Sequence, residues 1–193
     1  MAIAVLSMGA AALAGAGDVR ADWSLDPTQS RISFVSIKAD AVGEVHRFRT
    51  ATGTVSDDGA VEVEIDTASV DTGIEIRDER MIEHLFASAL YPTATLSMNV
   101  DVEALRAMAP GDSQTLYATG TLSLVGQSGA IDASLLVSRL SDDRVLVTTL
   151  QPVVVEAGAF ALGAGVEALR ELAGLPSISP AVPVSAVLVF VAD

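Results

Sequence analysis

The stretch "VSAVLVFVA", Val184–Ala192, decides the fold of this chain. It reads as one strand, apolar on both faces. At an exposed sheet edge such a strand would template pairing with other chains. It needs a partner on each side, and a closed barrel supplies both where a sandwich leaves edges.

Other segments upstream carry the period of two that a barrel wall requires. "AVEVEID" (Ala60–Asp66) sets Val61, Val63 and Ile65 against Glu62, Glu64 and Asp66, the mark of a half-buried antiparallel strand. Asp57-Asp58-Gly59 before it is a hairpin turn signal. "RISFVSIKA" (Arg31–Ala39), "HRFRTATGTVS" (His46–Ser56), "TATLSMNVDV" (Thr93–Val102), "TLYATGTLSLVG" (Thr115–Gly126), "AIDASLLVSRL" (Ala130–Leu140) and "RVLVTTLQPVVVE" (Arg144–Glu156) read as further strands. Ser141-Asp142-Asp143 turns the chain between the last two. "ALRAMAPGDSQ" (Ala104–Gln114) reads as a connection broken at Pro110-Gly111. "GVEALRELAG" (Gly165–Gly174) has helical spacing and a terminal glycine. Eight or nine strands, two short helices, no βαβ rhythm and no internal repeat predict an all-β antiparallel barrel.

Composition agrees. A chain of 193 residues, half of them hydrophobic and 19% charged, builds one domain with a real core. A formal net charge of −14, with Lys38 the only lysine, argues against nucleic acid as a partner. With no cysteine, disulfides, thiolate catalysis and Cys-based metal sites are excluded. Residues 2–17 are uncharged and rich in Ala, Leu, Val and Gly, and Val19-Arg20-Ala21 offers small residues for cleavage before Asp22. Residues 1–21 are therefore expected to be an export leader, its basic start missing or upstream, and 22–193 the mature domain. The apolar run is too short for a comfortable membrane span.

The longest charged stretch is "SVDTGIEIRDERMIEHLFASALYPTATLS", Ser69–Ser97. Thr72 and Glu75 fit a capping box, and Glu75, Asp78 and Glu79 suit the positive end of a helix dipole. Met81 with Leu85 and Ile82 with Phe86 are i,i+4 pairs that form one apolar stripe, leaving Arg77, Glu79, Arg80 and Glu83 mostly outward. Tyr91-Pro92 then enforces extended backbone. These features specify a helix across the barrel mouth, and no reaction is needed to explain them.

Chemistry is hard to place elsewhere. His46 and His84 are the only histidines, and no metal-ligand spacing surrounds them. Ser30, Ser33 and Ser36 lie on or beside a strand with no nucleophile elbow. "GAGVEAL" (Gly163–Leu169) lacks both the full glycine fingerprint and the lysine of a phosphate loop. Glu62 and Glu64 read as a solvated face.

On Ser69, Asp71-Thr72-Gly73, Arg77-Asp78, Leu85-Phe86, Tyr91-Pro92 and Leu96-Ser97 the chain resembles the YceI-like family of exported, lipocalin-like proteins. The start of the domain (Trp23, Asp26, Ser30, Ile32, Phe34, Gly53) and "ATGTLSLVG" are similar too, so the resemblance spans Asp22 to Asp193. Gln29 and Val125 stand where that family often has His, Gly129 where it has a basic residue, and Ile74 where it has Asn. The resemblance implies an eight-stranded antiparallel lipocalin-like barrel with one or two short helices. It implies a non-enzymatic protein, periplasmic or secreted, that holds an apolar isoprenoid lipid or isoprenoid quinone. Neither cofactor nor metal is implied, and a homodimer is left open. Ile32, Phe34, Phe48, Leu96, Met98, Leu122, Leu124 and Leu136 are then the expected apolar lining, with the inward face undetermined because a one-residue slip inverts it. Burying ten methylene equivalents gains roughly 8 kcal/mol gross, so a dry barrel can hold such a ligand without polar anchors. Two other readings stay open: a structural or stress-related envelope protein whose barrel is filled by its own side chains, and an enzyme using a histidine with a carboxylate.

Overall fold

The computed structural model describes residues 21–193, with side chains from Trp23 onward. The expected leader lies outside these residues, except that Ala21 begins the first strand. The strands are β1 (Ala21–Leu25), β2 (Arg31–Lys38), β3 (Val42–Phe48), β4 (Ala51–Ser56), β5 (Ala60–Asp66), β6 (Val70–Asp71), β7 (Thr93–Asn99), β8 (Ser113–Leu124), β9 (Gln127–Ser141), β10 (Arg144–Thr149), β11 (Val153–Glu156) and β12 (Ala181–Ala192). The helices are α1 (Glu75–Arg80), α2 (Val102–Arg106) and α3 (Gly163–Leu172).

Twelve strands build eight staves. β1 and β2 lie one after the other along one side of β12, and β10 and β11 along its other side. β3 with β4, and β5 with β6, are likewise consecutive parts of single staves. Every neighbouring pair is antiparallel, and pairing of β1 with β12 closes the ring. The result is an up-and-down eight-stranded barrel.

The segments expected as single strands over 46–56 and 144–156 are each broken once. At Arg49 and Thr50 both N–H groups leave the ladder and bond to Ser69, to its carbonyl and hydroxyl oxygens. At Pro152 the chain has no N–H to donate, and the β9–β10 ladder ends where Leu150 N–H meets the Ser134 carbonyl. Above that point β11 pairs only with β12.

β12 sits as its sequence demands. Leu188 and Phe190 face inward, while Val189 faces outward yet is 4% exposed. The loop between β1 and β2 covers it: Asp26 N–H donates to the Val189 carbonyl, and Val189 N–H to Ser30 Oγ. Gln29 is tied to Asp26 in the same loop at 2.8 Å.

The turns that join neighbouring staves fall at two ends. The floor holds the Asp57-Asp58-Gly59 hairpin, the β9–β10 turn and the β7–β8 connection. That connection contains α2, a helix not expected there, which Asp101 caps by accepting from Ala104 N–H at 3.0 Å. Trp23 is buried at the floor with the Arg139 guanidinium 5.0 Å from its ring centre. The mouth holds the β2–β3 turn and two long excursions, Asp71 to Pro92 and Ala157 to Pro180.

The expected capping box is replaced. Helix α1 starts at Glu75 with Ile74 as its uncapped N-cap. Asp78, not Glu75, reaches back, accepting from Thr72 N–H at 2.8 Å and from the Thr72 hydroxyl. The helix then widens into a π turn over Met81–Leu85, with Phe86 N–H bonded to the Met81 carbonyl. Met81 and Phe86 are buried and Leu85 half-buried, so the apolar stripe faces inward as expected.

Candidate functional site

The barrel encloses a cavity of about 280 Å³. It runs from Trp23, Val102 and Leu105 at the floor to Leu85, Phe86, Leu162 and Val166 under the roof. Among the described residues that line it, only Arg106 and Thr149 carry a polar side chain apart from the indole of Trp23. Arg106 is engaged by Asp57 at 2.6 Å and Glu103 at 2.9 Å. The filled barrel considered above is therefore not what these residues build.

Seven of the eight expected lining residues are in the wall: Ile32, Phe34, Phe48, Leu96, Met98, Leu122 and Leu124. Leu136 is not. On β9 the inward parity is Ile131, Ala133, Leu135 and Val137, and Leu136 pairs outward with Thr115 and Thr148. A run of three apolar residues, Leu135-Leu136-Val137, has no alternation from which to choose a face.

The roof is a contact of the π turn with α3. A β-carbon on Gly165 would lie 2.6 Å from the His84 carbonyl oxygen and 2.9 Å from Leu85 Cα, so only glycine permits this approach. Beside it Phe160, 3% exposed, occupies the space a side chain at Gly129 would need, 3.2 Å from its β-carbon position. That contact takes the place of the basic residue expected from the family pattern. Val125, in the β8–β9 turn, has φ of 48°, a left-handed value strained for a β-branched residue.

Polar groups gather at the mouth. Glu44 bridges Lys38 at 2.7 Å and Arg77 at 2.8 Å, and these cations hold its carboxyl below the usual range, Lys38 foremost. Arg77, expected outward, is half-buried and also donates to the Thr72 carbonyl at 2.8 Å. Asp71 binds Arg49 and Arg47, which keep its carboxyl well below the ordinary carboxylate range. His46 is 4% exposed, with Nε2 2.8 Å from Ser36 Oγ and its ring 5.3 Å from that of Phe34. Burial first, and the Arg77 charge second, push its pKa down and favour the neutral ring. His84 lies on the surface, 3.8 Å from Glu83. Among the described residues no three His, Asp or Glu side chains gather as a metal ion would need.

The cavity's floor and roof were missed in the sequence: Trp23, Val102, Leu105 and Phe190 below, Leu85, Phe86, Leu162 and Val166 above. The i,i+4 stripe of the mouth helix was the signal for Leu85 and Phe86.

The YceI-like domain model matches residues 23–190. A structure described as a polyisoprenoid binding domain from Saccharophagus degradans, implicated in plant cell wall breakdown, is 41% identical. The alignment covers 90% of this chain and 100% of that one, with a TM-score of 0.88. Burkholderia cenocepacia BcnA is 20% identical over 86% of this chain and 98% of its own, with a TM-score of 0.65, a likeness of fold. No functionally curated protein is detectably similar in sequence. The chain belongs to the YceI-like family.

Proposed function

We propose that this YceI-like barrel binds a single apolar isoprenoid-type chain, a polyisoprenoid or the tail of an isoprenoid quinone, and carries or sequesters it without chemical change. The carrying observation is the cavity itself, about 280 Å³ of continuous apolar wall. The polyisoprenoid binding described for the Saccharophagus degradans domain, 41% identical along its whole length, supports the same ligand class. The low-polarity wall offers nothing that would activate a bond, so binding rather than turnover is the reading. The leader-like first 21 residues support a periplasmic or secreted setting.

Magnitudes set the length of the occupant. Burying ten methylene equivalents gains roughly 8 kcal/mol gross at ~0.8 kcal/mol per methylene. Association takes back several kcal/mol, and micromolar binding needs about 8 net. An occupant held at micromolar affinity therefore buries more than ten methylenes, a chain of several isoprene units.

The test is organic extraction of protein purified from its native host, followed by mass spectrometry. An isoprenoid lipid in stoichiometric amount is expected. Consistent recovery of none, or of unrelated fatty acids only, sinks the reading.

A further inference from the structure

The barrel wall is split between β9 and β11. From Leu135 to Ser138, β9 pairs with β8 on one side and β10 on the other. From Gln127 to Ala133 it keeps only β8. β11 stands where β10 would continue, and it pairs with β12 alone. Alternation along each strand tells where the free backbone groups point. Leu150 N–H bonds to the Ser134 carbonyl, so the even-numbered residues of β9 face away from β8. Ala157 N–H bonds to the Pro180 carbonyl, so the odd-numbered residues of β11 face β12 and the even-numbered ones face β9. Ser128, Ala130 and Asp132 therefore turn their N–H and C=O groups toward Val154 and Glu156, and all of these residues are exposed. Among the described residues no backbone hydrogen bond joins the two sides above Ser134.

Side chains alone close this seam. Ile131 and Ala133 on one side, and Val153 and Val155 on the other, all line the cavity, so the seam opens onto it. At its upper end the Phe160 ring reaches across to Gly129, with two ring carbons 3.2 and 3.5 Å from the glycine's β-carbon position. There the seam meets the mouth. The roof is fastened differently. Arg80 donates to the Leu172 carbonyl at 3.2 Å, Arg77 pairs with Glu44 at 2.8 Å, and backbone meets backbone at Gly165. Parting the roof breaks these bonds. Parting the seam breaks no ladder and asks only that side chains move, Phe160 foremost.

We propose that the apolar chain enters and leaves the cavity sideways, through the seam between β9 and β11 and past Phe160. The inference rests on the lipid-binding reading above and adds the route. A chain threaded end-first must pass its whole length through one opening, whereas a slit admits it along its length and lets any surplus stay outside. Gly129, Ala130 and Ala133 put little bulk on the β9 side of that slit.

The chain has no cysteine, so introduced thiols can be bridged selectively. Ala130→Cys with Val154→Cys, joined by dibromobimane, locks the seam from outside the cavity. Thr115→Cys with Leu136→Cys, neighbours in the intact β8–β9 ladder, is the control. Geranylgeraniol is loaded before bridging, and its release to excess neutral phosphatidylcholine vesicles is timed. The seam bridge should slow release about tenfold or more, because any other route breaks several hydrogen bonds, and should leave the equilibrium partition unchanged. The control bridge should change neither. Release that keeps its rate with the seam bridged, or slows equally with the control, overturns the route and leaves the lipid reading standing. The unsubstituted protein supplies a second check. Its amide hydrogen exchange should be fast at Ala130 and Asp132 and slow at Ile131 and Ala133, which face β8. Equal protection at all four overturns the seam. Geranylgeraniol that never binds overturns the lipid reading and the route with it.

Discussion

The two ends of the barrel obey different rules. At the floor, tight acidic turns join β4 to β5 and β9 to β10, and Trp23, Phe190 and Val102 close the core beside a helix with an ordinary side-chain cap. Partway up the wall, staves break at Arg49-Thr50, at Thr67–Ser69 and before Pro152, and at the mouth the helix widens into a π turn and Ala87, Val125 and Ala161 adopt left-handed backbone. Buried side-chain nitrogens without a hydrogen-bond partner occur at both ends, on His46 and Arg77 at the mouth and on Arg139 at the floor. Left-handed non-glycine backbone and the π turn are thus gathered at the mouth, as backbone strain tends to gather at functional sites. If the mouth is the entrance, the floor should carry more of the stability and the roof less.

Four measurements test that division. The largest effect is expected at the floor. Phe190→Ala, at a site 5% exposed, should cost about 3–5 kcal/mol in urea unfolding. Leu85→Ala under the roof should cost less than half as much while weakening ligand binding more. Equal costs would break the contrast.

Gly165→Leu comes next. Its side chain meets backbone that cannot rotate away, so a loss of about 1–3 kcal/mol is expected. Hydrogen exchange should speed up across residues 81–88 and 163–172 and stay unchanged in the floor strands. Uniform acceleration would mean the roof is not a separate unit.

The third effect is a pH dependence. His46 is held neutral in the fold, its pKa pushed below the ordinary 6.5, chiefly by burial. The unfolded chain then binds the extra proton first, so stability should fall as pH drops below about 6.5. Glu44, also depressed, stabilises above its ordinary 4.5 and loses that contribution only at lower pH. Thermal melts between pH 7 and 5 should therefore show a decline that His46→Phe removes. A decline of the same size in the variant would move the proton to another group.

The smallest effect sharpens the picture of the mouth. Val125→Asn relieves a left-handed β-branched residue and should raise stability by about 1 kcal/mol, or about 2–4 °C in Tm.

The wall was legible because period two survives in the sequence. Seven lining residues follow from it, and the two-faced apolar strand at Val184–Ala192 implied closure. Leu136 was misplaced because Leu135-Leu136-Val137 carries no alternation, and only pairing with β8 and β10 selects the face. The break at Thr50 depends on Ser69, nineteen positions away, so no local signal marks it. Thr72 and Glu75 satisfy the spacing of a capping box, yet Asp78 makes the bond because the helix starts a turn-fraction later than the spacing assumes. The mouth cluster was invisible for a similar reason. His46 alternates with Phe48 like any strand residue, and its unpaired nitrogen exists only once α1 lies over it.

Trp23 is the chain's only tryptophan, and it lines the cavity at the floor, beneath the Arg139 guanidinium. Its indole is therefore a built-in optical gauge at the far end from the entrance. A series of isoprenoid alcohols of increasing length should leave its emission untouched until the tail touches bottom, then shift it. The chain length at which the signal appears measures the depth of the barrel in carbons, without a label.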